Sequence, residues 1–142
     1  MSFFRVEIDG GAWGNPGEAG AGVVIIHPDG QREEHTVYLG HATNNVAEYA
    51  ALLAALRRLL ELQAQEVAIQ TDSELLARQL TGSYKVRAPH LKPLWERAQK
   101  ALARFSRVDI RAVPREQNTR ADRLVAEAIA HKRSTLPSPL VP

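Results

Sequence analysis

A chain of 142 residues, 44% hydrophobic and 24% charged, has room for one ordinary domain with its own core and the composition of a folded protein. The absence of cysteine excludes zinc ribbons, thiol catalysis and disulfide scaffolds, and no apolar run approaches the roughly 18 residues of a membrane span. The formal charge of +2 conceals an imbalance: residues 1–77 hold 4 basic and 11 acidic side chains and residues 78–142 hold 14 and 5, as expected where an acidic centre that binds cations adjoins a basic surface that grips a polyanion.

The N-terminal MSFFRVEIDG lacks the basic, apolar and small-residue regions of a signal peptide, so the expected location is the cytoplasm, with no membrane and no obligate protein partner. Within it Phe4, Val6 and Ile8 alternate with Arg5, Glu7 and Asp9, the period of a strand with one apolar face. The strand is expected to end on Asp9 and to enter a glycine-rich loop, GGAWGNPGEAG. AGAGVVIIH then reads as a second, central strand, PDG as a turn, and QREEHTVYLG as a third strand, so that two antiparallel connections follow.

From about Asn44 to Leu62, NNVAEYAALLAALRRLLEL has the composition and spacing of an amphipathic helix, which Thr43 or Asn44 can cap. EVAIQTD is a short β-branched strand that, like the first, ends on an aspartate, Asp72. SELLARQL reads as a short helix stopped by Gly82, and GSYKVRAPHLKP as a basic loop before a helix near Leu94 to Phe105. VDIRAV is a fifth strand and NTRADRLVAEAIAHK a last helix. Residues 1–133 therefore form one domain, and the proline-rich 134–142 is expected to be a disordered tail. Right-handed crossovers would set the fourth and fifth strands parallel to the first, giving an α/β architecture with a five-stranded mixed sheet flanked by helices.

Asp9 and Asp72 each close a strand, and ligands of such sheets sit beyond the carboxyl ends of parallel strands. Glu48 lies on the apolar helical line of Leu52, Ala55 and Leu59, and Asp122 lies on that of Val125, Ala126 and Ile129. Any one of these acids alone is explained by capping a turn or a helix end. Four gathered without matching bases would repel and raise one another's pKa, a cost that a divalent cation removes. Oxygen-only ligation suits Mg²⁺ or Mn²⁺, and two such ions can serve in-line phosphoryl transfer to water.

The segments DGGAWGNPGEAGAG, TNNVAEYAAL, TDSELLARQL and NTRADRLVAEA, in this order and at these intervals, resemble type 1 ribonuclease H from about Phe4 to His131. The resemblance implies a ribonuclease H-like fold and an endonuclease that cuts the RNA strand of an RNA/DNA hybrid with two Mg²⁺ ions, leaving 3′-hydroxyl and 5′-phosphate ends. It implies that Asp9 bridges both metals, that Glu48 and Asp72 complete one site and that Asp122 completes the other. By the same match Asn15, Asn44 and Asn45 meet the RNA strand, Thr43 seats a DNA phosphate, and Gly11 is a further substrate-binding position. An amide can both donate to and accept from a ribose 2′-hydroxyl, which suits the asparagines.

Two departures stand out. Many relatives carry a histidine loop before the last aspartate, whereas VPREQNTRAD has none; Arg115 and Glu116 stand there instead. The long basic insertion of some relatives is also missing, so the chain resembles the shorter branch of the family. Trp95 is expected to be a core anchor, and Trp13 either to cover the core of its hairpin or to face the nucleic-acid groove. His27 and His35 are expected on the surface, away from the acids. Alternative readings keep the fold with a different duplex substrate, or make the chain a non-catalytic nucleic-acid binder.

Overall fold

The computed structural model describes residues 3–140. Strands β1 (Phe3–Gly14), β2 (Gly17–Ile26) and β3 (Arg32–Ala42) lead into helix α1 (Asn44–Glu61). Strand β4 (Glu66–Thr71), helices α2 (Glu74–Thr81) and α3 (Lys92–Leu102), strand β5 (Arg107–Ala112), a single 3₁₀ turn (Arg115–Gln117) and helix α4 (Thr119–His131) follow. The sheet order is β3-β2-β1-β4-β5, with β1 antiparallel to β2 and parallel to β4, and β4 parallel to β5. The expected mixed sheet is therefore the observed one.

Its two faces are covered differently. Phe4, Val6 and Ile8 stand opposite Val67, Ile69 and Thr71, and all six are buried; α1, whose Leu52, Leu56 and Leu59 are fully enclosed, covers this face of β1 and β2. The other face of β1 and β2 lies under α4, which buries Ala121, Leu124, Val125, Ala128 and Ile129. Thr43 caps α1, its Oγ1 accepting from the Val46 amide at 3.2 Å. Gly82, at φ 88°, ends α2 as the sequence predicts.

The glycine-rich stretch is a strand, not a loop. β1 continues past Asp9 to Gly14 and pairs with β2 down to Gly14 opposite Gly17, leaving Asn15 and Pro16 as the turn. Glycine is a weak strand former, so composition pointed the other way. What it provides here is close approach: a Cβ on Gly10 would stand 2.1 Å from the Ala47 carbonyl oxygen of α1, and one on Gly22 2.3 Å from the Ala121 carbonyl oxygen of α4. Asp9 is nonetheless a boundary, because parallel pairing with β4 ends one residue earlier, at Ile8 opposite Thr71.

The tail expected to be disordered is docked over residues 134–140. Thr135 exchanges hydrogen bonds with Thr36, and Ser134 Oγ accepts from the Tyr38 amide at 2.8 Å, so the tail covers the outer edge of β3. Leu136 and Leu140 then pack against the core, and Arg97 of α3 donates to the Pro139 carbonyl at 2.8 Å. Prolines that cannot join a helix or a ladder do not prevent a strap held by side-chain oxygens and leucines. Val141 and Pro142 lie outside the described residues.

Candidate active site

Each of the four acids is placed by a different element. Asp9 projects from β1 toward the α4 side, opposite Gly22 of β2, and is only 8% exposed. Asp72 follows the end of β4, Glu48 sits in the second turn of α1, and Asp122 in the first turn of α4. All four line one cleft of about 390 Å³, together with Gly11, Trp13, Asn44 and Arg115.

The cleft is short of positive charge. Among the described residues the only cation within salt-bridge distance of any of the four is Arg115, whose Nη2 lies 3.4 Å from Asp122 Oδ1. Burial, followed by the nearby charge of Asp72 and contacts with Asp122 and Asp72, pushes the Asp9 carboxyl up to about 8. Burial also pushes Glu48 up to about 7, with the charge of Asp72 adding to the rise and a hydrogen bond from Ser73 opposing it. Among the described residues no three carboxylates or imidazoles stand close enough to form a ready-made metal cage. The donor set, oxygen-only, desolvated and largely unneutralised, nevertheless fits a hard divalent cation that draws carboxylates together as it binds.

The neighbouring amides have a fixed orientation. Asn44 Oδ1 accepts from the Ala12 amide at 2.8 Å, and Asn15 Oδ1 accepts from the Asn44 amide at 3.1 Å. Because both donors are backbone N–H groups, the oxygens are identified, and neither bond uses the NH₂ group, which remains a donor. Asn45 is exposed at the start of α1 and Thr43 is partly exposed beside it. Trp13 is 57% exposed on the rim, so it does not cover the hairpin core. Trp95 packs against the core and donates Nε1–H to the Gln79 carbonyl at 3.1 Å, as expected of an anchor.

Asn118 was not singled out by the sequence, although it stands one turn before Asp122. It is fully buried, donates Nδ2–H to the Ile8 carbonyl at 2.8 Å and accepts from Gln70 at 3.3 Å. These bonds tie the start of α4 to β1 beside Asp9, and the Asp122 amide bonds back to the Asn118 carbonyl at 3.1 Å. A contrasting acid stands near the start of the edge strand β3. Glu33 takes hydrogen bonds from His27, His35 and Arg58, which corrects the expectation that both histidines are plain surface residues. Both are mostly enclosed, and the Arg58 guanidinium, aided by the two imidazoles, holds Glu33 down at about 2.

An α/β sheet with Asp9 and Asp72 where its central parallel pairing ends, joined there by Glu48 from a helix on one face and Asp122 from a helix on the other, defines the ribonuclease H-like class of proteins. The reverse transcriptase-like family model matches residues 7–128. The chain is 43% identical over 126 residues to the bifunctional protein Rv2228c of Mycobacterium tuberculosis, covering 87% of this chain and 35% of that protein. It is 40% identical over 122 residues to ribonuclease HI of Halobacterium salinarum, covering 85% of this chain and 61% of that protein. The chain thus spans about a third of the mycobacterial relative and under two thirds of the halobacterial one.

Solved structures agree with these relationships. The N-terminal RNase H domain of Rv2228c superposes with a TM-score of 0.86 at 42% identity, covering 89% of this chain and 98% of that one. For RNase H1 of H. salinarum the values are 0.87, 38%, 91% and 98%. For LC11-RNase H1 in complex with an RNA/DNA hybrid they are 0.85, 42%, 91% and 98%. The chain belongs to the type 1 ribonuclease H family. Among the described residues no helix is long and apolar enough to cross a membrane.

Proposed function

We propose that the chain is an endoribonuclease that hydrolyses the RNA strand of RNA/DNA hybrids, leaving 3′-hydroxyl and 5′-phosphate ends. The observation that carries this reading is the convergence of Asp9, Glu48, Asp72 and Asp122 in one cleft with almost no basic counterpart, beside two asparagines whose NH₂ groups remain donors. The hybrid-bound relative at 42% identity supports the choice of substrate.

On this reading Asp9 would serve both of two divalent cations, Mg²⁺ with Mn²⁺ as a substitute, Glu48 and Asp72 would help to hold one of them, and Asp122 the other. When bound, such ions activate water and stabilise the leaving oxygen of an in-line displacement. The chain's own residues do the rest. Gly11 lets the sugar-phosphate backbone approach β1. Asn15, Asn44 and Asn45 hydrogen-bond the RNA strand, the first two donating their side-chain N–H groups to 2′-hydroxyl oxygens that DNA lacks. Thr43 keeps a hydroxyl proton to donate to a DNA phosphate while its oxygen caps α1. Arg115 keeps a positive charge at Asp122, where relatives with a histidine loop place an imidazole.

The test is cleavage of strand-labelled hybrid, duplex DNA, duplex RNA and single strands with Mg²⁺, Mn²⁺ or EDTA. Cutting confined to the RNA strand of the hybrid and abolished by EDTA is expected; robust cutting of all-DNA duplex would overturn the specificity.

A further inference from the structure

Trp13 takes no part in the scheme above, yet its surroundings are unusually specific. Along β1, Asp9, Gly11 and Trp13 alternate onto one face of the sheet, and all three line the carboxylate cleft. Of the glycines in this hairpin, most answer to the fold: Gly10, Gly17, Gly20 and Gly22 are pressed against backbone or helix, and Gly14 has φ 92°. Gly11 does not. A Cβ there would meet Val125 Cγ1 at 3.7 Å and Asn44 Oδ1 at 3.9 Å, ordinary contacts, and its φ is not in the left-handed region. The missing side chain leaves a flat floor between a carboxylate and an exposed indole.

The indole itself stands on fixed backbone. Trp13 pairs with Glu18 across the hairpin, and Gly17 folds so closely on the Trp13 carbonyl that a Cβ would lie 2.1 Å from its oxygen. The preceding amide, Ala12, is held by Asn44. A duplex offers such a ring few partners, because its bases are stacked inside. What the wide, shallow minor groove of an A-like duplex exposes is sugar. Trp13 lies ~13 Å beyond Asp9 along the strand, well within the span of a duplex whose reacting phosphate sits at Asp9.

We propose that Trp13 is a substrate-contacting residue: its indole face packs against a ribose of the RNA strand in the minor groove, over the floor made by Gly11. The RNA strand is the one placed there because the amides assigned to it are joined to the same stretch of β1: Asn44 holds the Ala12 amide, and Asn15 in turn holds the Asn44 amide. The contact strengthens binding and leaves the hydrolytic step untouched. It rests on the hybrid-cleaving reading.

The test is steady-state cleavage of RNA/DNA hybrid by wild type, Trp13→Ala and Trp13→Phe. The alanine variant should raise KM roughly five- to ten-fold with kcat unchanged, and phenylalanine should restore most of the loss. Because the ring is exposed, both variants should keep the wild-type thermal midpoint. An unchanged KM in Trp13→Ala, or a fall in kcat at constant KM, would overturn the contact while leaving hybrid cleavage standing. A wild-type protein that leaves hybrid intact would instead remove the functional reading beneath it.

Discussion

A lone acid on the edge strand and the four acids of the cleft are treated in opposite ways. Glu33 is ringed by Arg58, His27 and His35 and is held down at about 2, whereas Asp9, facing Asp72 and Asp122 with one arginine at the far side, is pushed up to about 8. The chain can place bases around a carboxylate where a carboxylate serves the fold. That it withholds them in the cleft is a property of the cleft, and the opposing shifts separate an acid that ties elements together from acids left without a counter-charge.

The largest expected consequence of that difference is at Asp9. Asp9→Asn removes charge from a site that has too much, so the variant should fold at least as stably as wild type and still lose hybrid cleavage by ~10³-fold or more. Thermal melting and single-turnover cleavage read the two effects separately, and wild-type turnover would take Asp9 out of the mechanism.

Glu33→Gln should do the reverse. It leaves a half-buried guanidinium and two imidazoles short of their acceptor, costing about 1–3 kcal/mol of stability in denaturant titration with hybrid cleavage unchanged. The pH dependence follows from the sign of the shift. Glu33 is lowered from its ordinary 4.5 to about 2, so its contribution is full above 4.5 and is lost as pH falls toward 2. Wild type should therefore lose stability faster than Glu33→Gln across that acid window. Parallel melting curves for the two proteins would mean that the cluster contributes nothing.

The same contrast explains what the sequence could convey. The alternation of Phe4, Val6 and Ile8, the apolar line through Glu48 and the terminal position of Asp72 are local patterns, and each carries its acid to the predicted element. The continuation of β1 through Gly10–Gly14 was not legible, because the partners that require glycine here are distant in sequence: Ala47 of α1 presses on Gly10, and Ala121 of α4 presses on Gly22 of the paired strand β2. The docked tail and the Glu33 cluster are likewise long-range: Thr135 meets Thr36, and Arg58 reaches Glu33 across 25 residues. Asn118 is inconspicuous in the sequence for a related reason. A helix-start asparagine is ordinary in sequence, and only its buried bond to the Ile8 carbonyl marks it as the anchor that sets Asp122 beside Asp9.

The claim that the cleft holds acids in waiting for a cation is tested most directly by calorimetric titration of Mg²⁺ at pH 7 in two buffers of different ionisation enthalpy. With Asp9 near 8 and Glu48 near 7, much of the pair is protonated at that pH, and a bound cation that favours the carboxylate forms must expel protons. The account predicts net proton release by wild type and a clear reduction in Asp9→Asn. Binding of Mg²⁺ with the same heat in both buffers, or release undiminished in Asp9→Asn, would contradict it.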